Sequence, residues 1–182
     1  MTRLRVVPAA LAAGATIGVA LPFLPLFQPN SWLRVTVLLV LVVGVAGVGM
    51  RRVSRSAAIV VAGQLVIGLV AILLLLLRST LWYALPTVDT VKGTPAASAA
   101  RAAAPVAAIA PVILVLAVVF VLLAVSVDAL AVTKRMPGAA GIPLLTAYVA
   151  AASNSTEGLA FTYFLIPAAA WVALLAHEGA AR

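Results

Sequence analysis

No cysteine occurs anywhere in the 182 residues. Its absence excludes disulfides, thiolate metal sites and a cysteine nucleophile, and says nothing about redox compartment. Histidine occurs once, as His177, beyond the last apolar segment. A Ser-His-Asp arrangement has no place for it there. His177 with Glu178 is also too little for a metal site, which needs three or four converging ligands. The pair reads as a solvated helix end. No GxSxG and no Gly-rich phosphate loop is present. The chain therefore carries no catalytic constellation, and no cofactor is expected.

Charge is scarce too. Only 9% of residues are charged, and 65% are hydrophobic. Soluble domains carry about 25% charged and roughly 45–50% apolar residues. A soluble fold of this size has too little interior to hide so much apolar surface, so the expected class is an integral membrane protein. The net charge of +8 is not a nucleic-acid signal. The basic residues fall in short runs between apolar segments, which suits topology-setting charges beside anionic headgroups. The expected partner is the lipid bilayer, with no nucleic acid; other membrane or cell-envelope proteins are further candidates. Ala, Val and Arg usage points to a GC-rich genome such as an actinobacterium's, and hence to a multi-pass protein of a bacterial plasma membrane.

A membrane helix needs about 20 apolar residues to cross about 30 Å of hydrocarbon. Six candidate spans can be drawn, at about 6–27, 33–50, 57–77, 111–132, 138–153 and 159–176. The first follows a basic start, "MTRLR", and reads as an uncut helix rather than a cleaved secretory signal, because it is long and more spans follow. Pro22 and Pro25 remove backbone donors and should bend or finish it. The third has Gln64 as its one polar residue. The fifth and sixth are short and carry Pro143 and Pro167; a re-entrant or half-length pair is the alternative reading. Residues 78–110 form the longest break, an outer loop. In it, Trp82 and Tyr83 read as interface anchors where a helix leaves the hydrocarbon. Asn154-Ser155-Thr156 fits a glycosylation pattern but reads as a polar turn.

Cytoplasmic loops favour Lys and Arg. With the N-terminus inside, Arg3, Arg5, Arg51, Arg52, Arg55, Lys134, Arg135 and Arg182 lie inside, against Arg34, Arg78, Lys92 and Arg101 outside. The expected architecture is an all-α, polytopic transmembrane bundle of about six spans with a cytoplasmic N-terminus, forming a single domain over residues 1–182. Arg51, Arg52 and Arg55 are its main topology-setting residues.

Asp128 stands near the inner end of the fourth span. A carboxylate is disfavoured at a helix C-terminus and costly inside a bilayer. Arg135 lies two turns on, about 10 Å along the same face. Asp128, Arg135 and Lys134 are thus expected to form a charge clamp, and the "RRVSR" loop offers further partners. A proton relay is the competing reading, with Gln64, Ser126 and Thr146 as its only candidate members. Ala10, Gly14 and Gly18 lie four apart in the first span, a spacing for close helix packing within the bundle or between copies.

The stretch "VDALAVTKRMPGAAGIPLLTAY", Val127 to Tyr148, resembles the N-terminal membrane domain of TgpA-type transglutaminase-like proteins. The matching elements are the "DALAV" run at Asp128–Val132, the basic pair Lys134 and Arg135, and Pro137–Gly141. Ile142–Leu145 and Tyr148 complete it. The resemblance implies a further membrane helix, an extracytoplasmic domain with a Cys-His-Asp triad, and a final span. None of these catalytic residues can be placed on this chain. The chain is accordingly expected to be a truncated product of a longer gene, the product of an interrupted gene, or a stand-alone relative of the membrane part. Its expected role is to anchor and position a catalytic domain; a small transporter or channel subunit is the alternative, motivated by the proline-broken fifth and sixth spans.

Overall fold

The computed structural model describes residues 6–76, 106–155 and 158–180. Among these the chain forms six α-helices: α1 Val6–Ala20, α2 Ser31–Val53, α3 Ala57–Leu76, α4 Ala110–Asp128, α5 Pro137–Ser153 and α6 Thr162–Ala180. Trp82, Tyr83 and most of the expected outer loop lie outside the described residues, as do Arg3, Arg5, Arg78, Lys92, Arg101 and Arg182.

The protein is an all-α, polytopic membrane bundle. Five helical segments are long and apolar enough to cross a bilayer: Val6–Phe23, Ser31–Val53, Ala57–Leu76, Ala110–Thr133 and Thr162–Ala180. The fifth expected span is the exception. α5 has 17 residues, about 25 Å of helix, a little short of the hydrocarbon thickness. It is nonetheless continuous, and Pro143 sits inside it without ending it.

Local chemistry sets the ends. α1 stops at Ala20, short of the expected 27, and tightens into a 3-10 turn at Leu21–Phe23 with Pro22 near its start. Proline fits a first turn, where its missing N–H costs nothing. Phe27–Gln28 then pairs in parallel with Val106–Ala107. α2 runs three residues past the expected stop, so Arg51 and Arg52 are helical and lie in its last turn. Cations there complement the helix dipole, and Ser54 provides the extended residue that ends the element.

α4 is the central helix, packed on α1, α2, α3 and α5. α2 and α3 lie to one side of it. To the other, α1 packs on α6, and Gly18 makes that approach possible: a Cβ there would sit 3.2 Å from the Pro167 backbone. The small-residue spacing therefore serves packing within this bundle at Gly18, while Gly14 has open space around its Cβ position. One apolar core fills the α1, α4, α5 and α6 side, with Trp32 fully buried in it. The indole stacks near Phe120 at 6.3 Å and meets Phe27 edge-on at 6.1 Å. A second core lies between α2, α3 and α4.

Candidate functional site

Asp128 closes that second core at one end, and it is almost completely buried. Three helices supply its surroundings. Along α2, Val43, Gly47 and Arg51 recur every four residues and share one face. Arg51 grips the carboxylate with both arms: Nη1 donates to Oδ2 at 2.6 Å and Nη2 to Oδ1 at 3.2 Å. This is the paired fork geometry that makes arginine–carboxylate contacts strong. From α3, Gln64 Nε2 donates to the same Oδ2 at 2.8 Å and to the Val43 carbonyl at 3.3 Å. Both neighbours of that nitrogen are acceptors, so the amide orientation follows from the contacts.

Gly47 creates the room. A Cβ at this position would stand 2.3 Å from Gln64 Nε2 and 3.0 Å from Asp128 Oδ2. Any larger residue here would displace the Gln64 amide from its present position against α2.

Directly after Asp128 the chain widens into a π-turn, Ala129–Thr133, with Lys134 N–H bonded to the Ala129 carbonyl at 2.8 Å. Such turns are rare and recur at functional sites. This one carries Thr133, whose Oγ1 accepts from Arg51 Nη1 at 3.4 Å. Arg135 follows in the left-handed region, φ 58°.

The partner of Asp128 thus comes from the "RRVSR" stretch, which offered further partners, and not from Lys134 or Arg135. Among the described residues its ion pair is with Arg51, while Lys134 and Arg135 are exposed. Arg135 fails geometrically because the π-turn and left-handed cap break the helical register on which its placement two turns along the same face depended. Arg51 joins the cluster, whereas Arg52 and Arg55 are exposed. Glu178 also differs from expectation. It is buried, at 6% exposure, because it shares a helix face with fully buried Leu174, and it is engaged by a neighbour. His177 is exposed.

The other polar candidates turn inward on their own helices. Ser126 Oγ donates to the Leu122 carbonyl at 2.7 Å and Thr146 Oγ1 to that of Ile142 at 2.9 Å. Asn154 Nδ2 donates to the Ala150 carbonyl, and Thr156 lies outside the described residues. No group of three or more potential metal ligands occurs among the described residues. Sequence reasoning missed the meeting of Gln64 with Asp128, and the role of Gly47 entirely. A signal was present: a lone amide and a lone acid in neighbouring apolar helices each need a partner.

The resemblance read from Val127–Tyr148 extends to nearly the whole chain. Residues 14–182 match the family described as the TgpA N-terminal domain. The chain belongs to that family. The same comparisons find no match among curated proteins and none among solved structures. Membership of the TgpA N-terminal domain family agrees with a bundle of apolar helices.

Proposed function

We propose that this chain is the membrane-anchoring and scaffolding part of a TgpA-type protein of the bacterial plasma membrane, holding a transglutaminase-like catalytic domain at the outer face. The family match over residues 14–182 carries this reading. The chain has no cysteine and so cannot supply a thiolate of its own. The Arg51–Asp128–Gln64 cluster supports a structural role, since the carboxylate's charge is neutralised by a bidentate partner and tied to three helices at once. Buried polar groups fix helix register in some coiled coils, and the same role is proposed for this pair. Lipid is the surrounding partner, and neighbouring membrane or envelope proteins are the ones such an anchor would dock.

The test is direct. Reconstituted in nanodiscs, the chain is expected to release no amine from peptide substrates and to transfer no acyl group to an added amine. Turnover abolished by Asp128→Asn would overturn the anchoring role. Saturable solute uptake by proteoliposomes would replace it with transport. That second reading draws on one observation: buried Gln64 Oε1 has no hydrogen-bond partner among the described residues.

A further inference from the structure

α5 and α6 form an antiparallel hairpin joined side to side at two levels. At one, Trp171 Nε1 donates to the Pro137 carbonyl at 2.9 Å, and the indole lies against Gly141, where a Cβ would be only 2.8 Å from the ring. At the other, Tyr148 meets Phe164 edge-on at 5.4 Å. Seven residues separate Gly141 from Tyr148 on α5, and seven separate Phe164 from Trp171 on α6. That leaves about 10 Å of helix between the two contacts.

Between them the hairpin is open. A cavity of about 510 Å³ runs from Gly138 to Tyr148, with Val19 of α1, Ile142, Leu145, Pro167 and Ala168 among its walls. Water is a poor occupant, because a buried water needs two to four polar partners and these walls are aliphatic or aromatic. A helix is too large to be enclosed: at about 10 Å across it needs on the order of 1,200 Å³ over the roughly 15 Å from Gly138 to Tyr148. An empty cleft would forfeit the dispersion contacts of its lining. Ile142, Leu145 and Val172 along its mouth are exposed, so the surrounding bilayer has access.

We infer that this cleft is a binding site for one acyl chain of a membrane lipid, held between the Trp171 and Tyr148–Phe164 contacts as an integral part of the α1–α5–α6 packing. The inference rests on the chain being a membrane domain and not on its anchoring role, so the activity and uptake assays above leave it untouched. It separates this groove from the ordinary lipid-facing surface of α3, where Val66, Leu69 and Val70 are exposed.

The experiment uses the full chain in nanodiscs doped with a phosphatidylethanolamine carrying a diazirine midway along one acyl chain. After photolysis, labelled residues are mapped by mass spectrometry. Labelling at the buried walls Val19 and Leu144 and at Ala168 is expected to exceed that at exposed Val66, Leu69 and Val70 several-fold. Ala168→Phe, which fills the cleft, should remove that excess and leave the α3 labelling as it was. Should Ala168→Phe fold poorly, Val172→Phe at the exposed mouth gives the same comparison. Equal labelling of the two surfaces, or an excess that survives the filling substitution in folded protein, would overturn the proposal.

Discussion

At the scale of single residues, the Asp128 cluster makes the sharpest claims. Removing one member of a buried ion pair leaves the other charge uncompensated, which costs about 3–5 kcal/mol. Asp128→Leu is therefore expected to lower the detergent melting temperature steeply. Arg51→Met added to Asp128→Leu should recover much of that loss, since replacing a whole buried pair by apolar groups is often neutral. A double mutant as unstable as the sum of its parts would show that the pair is not coupled. Gly47→Ala probes the same site sterically. Its added Cβ collides with Gln64 Nε2, so the variant should lose about 1–3 kcal/mol, typical of overpacking. Much of this site was legible as a list of residues: Asp128, Arg51 and Gln64 all stand out in apolar helices. The "RRVSR" stretch was legible as a source of partners for Asp128, but the choice of Arg51 and the contact with Gln64 were not, because they depend on which helix faces meet, and on a glycine whose relevance appears only when its neighbours are placed.

The element scale turns on how helices end. A sequence pattern suggests that the fourth span stops at Lys134 and Arg135, and it does. It does not reveal the π-turn, because the extra residue per turn is imposed by tertiary contacts rather than by propensity. Arg135 carries the backbone cost of that ending. A non-glycine residue in the left-handed region costs roughly 1–2 kcal/mol, and Arg135 is exposed, while the ion pair of Asp128 among the described residues is with Arg51. Arg135→Gly is expected to raise thermal stability modestly, by about 1 kcal/mol. A fall in melting temperature would mean that its guanidinium does structural work at the inner surface. The continuity of α5 through Pro143 is another feature that hydropathy leaves open: proline marks a weak point in a helix, and neighbouring helices decide whether it breaks.

For the whole molecule, the number of crossings turns on α5, the one described helix outside the five spanning segments. The basic residues favour an inner N-terminus, and the connection Ser54–Ser56 between α2 and α3 then lies inside. If α5 crosses in full, Asn154 lies outside. The absence of native cysteine makes this easy to check. Ser56→Cys and Asn154→Cys, both at exposed positions, are expected to react with a membrane-impermeant maleimide from opposite sides of the membrane. Labelling of both from one side would make α5 and α6 a half-length pair.

The sequence by itself determined the class of the molecule. Sixty-five per cent apolar residues in runs of about 20, separated by basic clusters, leave a helical membrane bundle as the stable solution, because every backbone polar group must be satisfied within its own segment. Composition and periodicity are local properties, and they suffice for that. Tertiary structure alone decided that Asp128 pairs with Arg51 across helices rather than with Arg135 along one, that Gly47 opens the space for it, and that α5 and α6 touch at two levels around a cleft. These outcomes follow from the relative rotation of packed helices. Side-chain volumes on facing surfaces set that rotation jointly, and no single helix encodes it.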